Sequence, residues 1–211
     1  GYIEPTLIQE KTIPLVLDKK DVIASAQTGT GKTAAFALPI LQLLFDKQDA
    51  PKQGKKIRAL IISPTRELAI QINTNFKTYA KHTNLRSMVI FGGAGIEPQI
   101  ELLKKGVDIV VATPGRLLDL HKQDELNLDY IEILVLDEAD LMLDMGFIDD
   151  VKKIERLCPE DKQVLLFSAT MPFKVEQLAG AILKLPERIE VTPTSSAAKN
   201  VSQILYYVPK K

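Results

Sequence analysis

This chain of 211 residues has a single cysteine, two histidines and no excess of either charge. One cysteine, Cys158, excludes an internal disulfide and is typical of a reducing compartment, so we expect a cytoplasmic protein. The histidines, His82 and His121, lie in polar stretches and indicate no metal site. Lysine plus arginine equals aspartate plus glutamate, at 27 each, so binding to nucleic acid would need a local surface. No apolar run approaches membrane-spanning length, and no signal peptide is predicted.

A glycine-containing loop joins a predicted strand to a predicted helix near the start of the chain. It reads AQTGTGKT over residues 26–33, after the apolar residues 22–25 and before helically spaced apolar residues up to Phe45. Glycines let successive N–H groups converge on phosphate oxygens, and the helix N-terminus adds partial positive charge. Lys32 would reach the β- and γ-phosphates, and the Thr33 hydroxyl would complete the shell of a Mg²⁺ ion. The predicted nucleotide-binding residues of this loop are Thr28, Gly29, Thr30, Gly31, Lys32 and Thr33.

The loop departs in one place from the general pattern G-x-x-x-x-G-K-[ST], because Ala26 stands at the first glycine. The alternative interpretation is a glycine-rich turn with an incidental lysine. A strand before the loop and a helix after it make that alternative the weaker one.

An acidic cluster, DEAD over residues 137–140, directly follows an apolar run over residues 131–136. Such a run is typical of a strand buried on both faces of a parallel sheet, and ligands of open α/β sheets bind at the carboxyl ends of strands. Asp137 is suited to hold Mg²⁺, and Glu138 is suited to orient and polarise an attacking water. The alternative interpretation of this cluster is a solvated first turn of a helix, where acidic residues are common. That alternative is the weaker one in a chain that already has a phosphate-binding loop.

Apolar strand patterns alternate with helical patterns along the chain. This alternation predicts an α/β fold with a doubly wound, mostly parallel sheet and helices on both faces. The predicted strands cover residues 22–25, 59–63, 87–91, 109–112, 133–136, 164–167 and 188–191. The predicted helices cover residues 31–45, 66–79, 97–104, 114–121, 147–157 and 173–183. Residues 46–56 are predicted as an exposed loop, 192–200 as a linker and 201–208 as a further strand.

With these residues in place, the chain resembles the first RecA-like domain of DEAD-box RNA helicases, and most of all the bacterial RhlE-type proteins. Residues 1–2 with PTLIQ over residues 5–9 match the Q motif, and SAT over residues 168–170 matches the motif that couples hydrolysis to strand separation. Three further segments match the motifs that contact RNA, and alanine at position 26 is normal in this family. The RNA-contacting residues so implied are Pro64, Thr65, Arg66, Gly92, Gly93, Thr113, Pro114, Gly115 and Arg116.

The resemblance implies a role for each motif. Gln9 would pair with N6 and N7 of adenine, because an amide offers both a donor and an acceptor, and would thereby select ATP. The RNA motifs would contact the sugar-phosphate backbone without regard to sequence, although each taken singly is also compatible with a simple helix cap. Ser168 and Thr170 would hydrogen-bond toward Asp140 and brace the acidic motif.

The resemblance also implies a domain division. Residues 1–191 would form the RecA-like ATP-binding domain, 192–200 the linker, and 201–211 the start of a second RecA-like domain that carries an arginine finger. The family's aromatic residue that stacks on adenine would precede Gly1, and the absence of an initial methionine predicts an excised fragment.

Three functions are compatible with these patterns. The first is an ATP- and Mg²⁺-dependent RNA helicase, of which this chain is the ATP-binding half, largely inactive in isolation. The second is a different P-loop ATPase that drives DNA translocation or transport, which Gln9 and the DEAD sequence disfavour. The third is a nucleotide- and RNA-binding module or docking platform without enzymatic activity of its own.

Overall fold

A computed structural model describes residues 3–46 and 56–191. Its helices are α1 Leu7–Leu17, α2 Lys32–Phe45, α3 Arg66–Tyr79, α4 Glu97–Lys104, α5 Pro114–Lys122, α6 Ala139–Asp144, α7 Ile148–Leu157 and α8 Phe173–Ile182, with a 3₁₀ turn at Ala80–His82. Its strands are β1 Val22–Ser25, β2 Ala59–Ile62, β3 Ser87–Ile90, β4 Ile109–Ala112, β5 Ile133–Leu136, β6 Gln163–Ser168 and β7 Glu187–Glu190.

The described strands form one sheet in the order β3-β4-β2-β5-β6-β1-β7, and every pairing is parallel. The predicted α/β class and doubly wound sheet are therefore confirmed, and "mostly parallel" becomes wholly parallel for these seven strands. Parallel pairing places the carboxyl ends of all strands at one edge, where the predicted site residues follow their strands.

Alternate residues of each inner strand enter two separate cores. In β5, Ile133 and Val135 pack in the core under α1, α2 and α3, whereas Leu134 and Leu136 pack in the core under α5 to α8. Residues of β5 are at most 4% exposed, as expected for a strand that is covered on both faces. Helices on both faces are thus required by the apolar composition of the strands.

Two helices were not predicted, although most element boundaries were correct to within one residue. Helix α1 contains Pro14 and buries the polar residues Gln9 and Thr12, so it lacks both an unbroken helical sequence and a clear apolar stripe. Helix α6 has six residues, too few for a periodic pattern to emerge.

Several predictions concern residues outside the described ranges. The linker at 192–200, the strand at 201–208, residues 1–2 of the Q motif and most of the loop at 46–56 lie there. The domain division at residue 191 therefore stays a prediction.

Candidate functional site at the carboxyl edge of the sheet

The predicted site residues lie along the carboxyl edge in an order that differs from their order in the sequence. The phosphate-binding loop follows β1, the SAT segment follows β6 and the acidic motif follows β5, so these three are neighbours. The remaining segments follow β2, β4 and β3, on the other side of β5. The edge is thereby divided into two halves. One is the nucleotide half, and the other contains the three segments that are predicted to contact RNA.

The phosphate-binding loop needs glycine at two positions, because Gly29 and Gly31 have φ angles of +80° and +94°. A Cβ atom at Gly31 would lie 2.5 Å from Nε2 of Gln9 and 3.1 Å from Oγ1 of Thr6. Thr30 closes the turn by donating its hydroxyl to the carbonyl of Gln27 at 2.8 Å. The loop is therefore held in a tight turn that leads directly into α2 at Lys32.

Gln9 packs against this loop and is 3% exposed. Its Oε1 accepts the backbone N–H of Thr6 at 3.0 Å, and its Nε2 donates to the carbonyl of Gly31 at 3.3 Å. An amide offers two acceptor positions and two N–H donors, so one of each remains for a ligand. The structure thus brings Gln9 to the phosphate-binding loop, while its contact with adenine stays a prediction.

Lys32 and Glu138 form a buried ion pair between the two principal motifs. Nζ of Lys32 lies 2.9 Å from Oε1 of Glu138, and the two side chains are 6% and 11% exposed. Glu138 is in the left-handed region at φ 57° and ψ 54°, a backbone conformation that costs energy in a residue with a Cβ. The 106 residues that separate the pair in sequence explain why the pairing could not be predicted.

Asp137 lies beside this pair and is 5% exposed, with no hydrogen-bond partner for its Oδ1 atom in the part of the chain that the structure describes. Burial raises the pKa of Asp137 to about 7, although the charge of Lys32 opposes the rise. Near neutral pH this carboxylate is therefore divided between its protonated and ionised forms.

The donor set fits a Mg²⁺ ion that is bound together with a nucleotide. Protein sites for Mg²⁺ commonly supply one or two oxygen ligands and leave the rest to phosphates and waters. The unpartnered oxygen of Asp137 and the hydroxyl of Thr33 are oxygen donors of this kind, and their role as ligands stays a prediction. Across residues 3–46 and 56–191 no cluster of three or more His, Cys, Asp or Glu side chains forms a metal site independent of nucleotide.

The third part of the nucleotide half joins Asp140 to the SAT segment. Oδ2 of Asp140 accepts the backbone N–H of Thr170 at 2.8 Å and its hydroxyl at 2.9 Å, and Oγ of Ser168 accepts the backbone N–H of Asp140 at 3.1 Å. Partial burial raises the pKa of Asp140, but the hydrogen bonds from Thr170 and Ser168 outweigh it and hold the pKa below its usual range. The predicted hydrogen bonds are present, and their coupling role stays a prediction.

The other half of the edge contains the three segments that are predicted to contact RNA. They lie beside one another because they follow the neighbouring strands β3, β4 and β2. Thr65 caps α3 by accepting the N–H of Leu68 at 3.3 Å, as the simple helix-cap alternative expects. The guanidinium of Arg66 lies 4.6 Å from the ring centroid of Phe91, and that of Arg116 donates two hydrogen bonds to the carbonyl of Ala94 at 3.1 Å.

The remaining predicted RNA residues differ in accessibility. Gly92, Gly93 and Gly115 are exposed, and Gly93 needs a φ of +77°. Thr113 is half-buried, whereas Pro64 and Pro114 are buried and could shape the turns without presenting a surface.

Gln99 is a residue of this half that sequence reasoning missed. Its amide donates to the carbonyls of Phe91 and Gly95 at 3.2 and 2.9 Å and accepts the N–H of Phe91 at 3.1 Å, so it fixes both ends of the exposed glycine loop. A glutamine within a helical pattern gives no signal that it has this role.

The site uses neither histidine, and Cys158 lies away from it at the end of α7. Burial raises the pKa of this thiol to about 12, which keeps it protonated at neutral pH. No helix in residues 3–46 or 56–191 is long and apolar enough to cross a membrane.

Comparison with known proteins gives a consistent result. The family model described as "DEAD/DEAH box helicase" matches residues 6–178. The chain is 45% identical over 208 residues to the DEAD-box ATP-dependent RNA helicase RhpA of Helicobacter pylori, covering 99% of this chain and 41% of RhpA. It is 46% identical over 211 residues to CshA of Streptococcus pneumoniae, another DEAD-box ATP-dependent RNA helicase, covering 100% of this chain and 39% of CshA.

Solved structures agree. A hypothetical ATP-dependent RNA helicase from Sulfolobus tokodaii aligns with a TM-score of 0.81 and 38% identity, over 90% of this chain and 54% of that one. A DEAD box protein from Methanococcus jannaschii aligns with a TM-score of 0.81 and 45% identity, over 89% of this chain and 50% of that one. The chain spans about two fifths of the length of RhpA and CshA, the two curated relatives described above. The particular resemblance to RhlE-type proteins stays a prediction.

Proposed function

The chain belongs to the DEAD/DEAH box helicase family as an N-terminal ATPase domain, and from this premise we propose that it is the ATP-binding half of an ATP-dependent RNA helicase. The observation that carries the proposal is the buried contact between Lys32 of the phosphate-binding loop and Glu138 of the acidic motif. This contact brings Lys32, the proposed phosphate ligand, together with Glu138, the residue proposed to position the attacking water, at the carboxyl edge of the sheet. Family membership removes the transport ATPase from consideration.

ATP binding would require Lys32 to exchange one anionic partner for another. Its ammonium group is nearly inaccessible and already paired, so the β- and γ-phosphates would replace Glu138 as its principal contact. The N–H groups of the loop from Thr28 to Gly31 and the N-terminus of α2 would complete the phosphate contacts. Glu138, once released, would be free to accept a hydrogen bond from water.

Asp137 and Thr33 would hold the Mg²⁺ ion that accompanies ATP. When bound, the ion supplies positive charge that neutralises the phosphate oxygens. Asp137 must be ionised for this role, and its pKa of about 7 means that cation binding would also displace a proton.

Glu138 would act as the group that orients and polarises the attacking water. Its left-handed backbone places its side chain toward Lys32 at the end of β5 and not along α6, of which it is the N-cap residue. Strained backbone of this kind concentrates at functional sites, which supports a catalytic assignment for this residue.

RNA would bind to the half of the edge that follows β2, β4 and β3. Exposed loop N–H groups around Gly92 and Gly93 and the guanidinium groups of Arg66 and Arg116 suit phosphates and not base edges. These arginines now contact Phe91 and the carbonyl of Ala94, contacts that leave other guanidinium N–H groups available. A neutral chain could in this way hold RNA through a local surface.

Asp140 would couple the acidic motif to the SAT segment through Ser168 and Thr170. The network joins the acidic motif after β5 to the segment after β6, so a shift of the acidic motif on hydrolysis would be passed to that segment. We place this machinery in the cytoplasm, in a full-length protein with a second RecA-like domain.

Nucleotide selection provides the first test. Mg²⁺-ADP is expected to bind the chain about 5- to 150-fold more tightly than Mg²⁺-GDP, because a bidentate amide–adenine pair discriminates by about 1–3 kcal/mol. Gln9→Glu should remove most of this preference, since it keeps the shape and loses the donor to N7. Isothermal titration calorimetry measures both affinities.

Glu10→Gln, an exposed exchange on the same helix, is the matched control and should leave the ADP preference unchanged. Equal affinities for ADP and GDP in the unmodified chain would contradict the role proposed for Gln9.

RNA binding by the chain is expected to be weak, independent of sequence and sensitive to salt. Removing one side chain that binds a phosphate should reduce the slope of log K against log salt by about 0.7 for a single strand, so Arg116→Ala should lower the slope by about this amount. Fluorescence anisotropy with two unrelated single-stranded RNAs over a range of salt concentrations measures it.

Arg156→Ala is the control, because Arg156 is an exposed arginine in the last turn of α7, away from the carboxyl edge. A strong preference for one RNA, or affinity that does not change with salt, would contradict backbone recognition.

A further inference from the structure

The outer edge of β3 forms the end of the sheet and borders a groove of about 430 Å³ between α3 and α4. In the described part of the chain, β3 pairs with β4 alone. The carbonyls of Arg86 and Ile90 point toward β4, where they accept backbone N–H groups. Because backbone groups alternate along a strand, Ser87 and Val89 turn their N–H and C=O groups away from the sheet and toward the groove.

Two polar side chains that line this groove have buried oxygens without hydrogen-bond partners among the described residues. Asn73 of α3 is 4% exposed and its Oδ1 is unpartnered, and the hydroxyl of Ser87 is unpartnered as well. Buried polar groups normally find partners, because leaving them unpaired costs free energy. The groove therefore contains both free backbone groups and unsatisfied side chains.

The charge of the groove has one sign. Its charged lining residues are all cations: Lys77, Arg86 and Lys105. None of these three side chains forms an ion pair in the described ranges 3–46 and 56–191. Leu102 adds an apolar wall that is 47% exposed. Charged residues can also serve to protect an open edge from aggregation, but protection requires neither a groove nor unsatisfied buried polar groups.

We propose that this groove binds an extended, acidic segment of a partner protein, which adds as a strand to the edge of β3. The segment's backbone would pair with Ser87 and Val89, and its carboxylates would contact the three cations. The groove lies beside the amino end of β3, so its occupant would leave the nucleotide and RNA residues at the carboxyl edge accessible.

The test uses the 211-residue chain and a fluorescein-labelled peptide, Glu-Val-Glu-Val-Glu-Val-Glu, in fluorescence anisotropy. A peptide with lysine in place of glutamate is expected not to bind. A strand that adds to one edge uses the N–H groups of alternate residues only. N-methylation of either all the valines or all the glutamates should therefore abolish binding for one of these two peptides and leave it intact for the other.

Charge-reversal variants complete the test. Lys77→Glu and Lys105→Glu should each weaken binding by at least about fivefold. Lys11→Glu, on α1 at the β1–β7 end of the sheet, should leave it unchanged. No binding of the acidic peptide, equal binding of both N-methylated peptides, or no effect of the groove variants would overturn the proposal. Self-association of the chain that the peptide displaces would overturn it too, because a second copy would then be the occupant. Nucleotide binding is a separate readout, so failure here leaves the proposed function intact.

Discussion

ATP turnover by the full-length protein is expected to fall by about 10²–10⁴-fold when Glu138 is replaced by glutamine. The substitution keeps the shape of the side chain and removes the carboxylate that would polarise the attacking water. Nucleotide affinity should be retained or increase, because Lys32 no longer has to give up a buried carboxylate partner before it contacts phosphate. Steady-state ATPase measurements with saturating RNA, together with calorimetry of ADP binding, separate the two effects.

Two further variants make this result specific. Lys32→Ala should weaken ADP binding, because it removes the charge that faces the β- and γ-phosphates. Glu101→Gln, the same chemical change at an exposed position on α4, should alter neither turnover nor affinity. Turnover at the unmodified rate in Glu138→Gln would show that another group positions the water.

The sequence was sufficient to predict the fold because the information is local. Strands such as Ile109–Ala112 and Ile133–Leu136 are continuously apolar and short, and polar helical patterns lie between them. Such strands must be covered on both faces, which leaves few arrangements other than a doubly wound parallel sheet. Apart from Gln9, the predicted site residues lie in segments that end or follow recognisable strands, and their roles stay predictions.

The contacts inside the site could not be predicted, because they join residues that are remote in sequence. Nothing near Lys32 in the sequence indicates that its partner is Glu138, and nothing near Phe91 indicates that Gln99 would hold its backbone. Asp21 is a further case: its carboxylate accepts the N–H groups of Val164 and Lys184 and so ties β1 to β6 and to the turn before β7. Pairings of this kind follow from the order of strands in the sheet, and the sequence pattern gives the strands but not their order.

Helix α1 shows a different limit. The helix is stabilised by tertiary packing, since Ile8 and Val16 enter the core beside α2 while Gln9 packs on the phosphate-binding loop. Pro14 removes a backbone donor and argues against a helix on local grounds. Packing against α2 and the sheet outweighs this local cost.

The isolated 211-residue chain is expected to bind nucleotide but neither to separate RNA strands nor to hydrolyse ATP at an appreciable rate. Its two cores pack on both faces of the sheet of seven strands that residues 3–46 and 56–191 form, so the domain should fold without a second domain. Hydrolysis would still lack an arginine finger from a second RecA-like domain, and in P-loop enzymes such a group is worth about 10³–10⁵ in rate. A duplex-unwinding assay and single-turnover ATPase measurements, run beside the full-length protein, measure the deficit.

ADP binding by calorimetry is the control for this comparison, because it demonstrates that the isolated chain is folded and that its phosphate-binding loop is intact. If the chain binds ADP but hydrolyses no ATP, the groups that hydrolysis still needs must come from the rest of the protein. They would be supplied when two domains close over ATP and RNA. That result would also make the binding-module description correct for the chain alone. Robust ATP-dependent strand separation by the 211-residue chain would instead mean that the groups from Gln9 to Thr170 suffice, and that the two-domain mechanism proposed here is wrong.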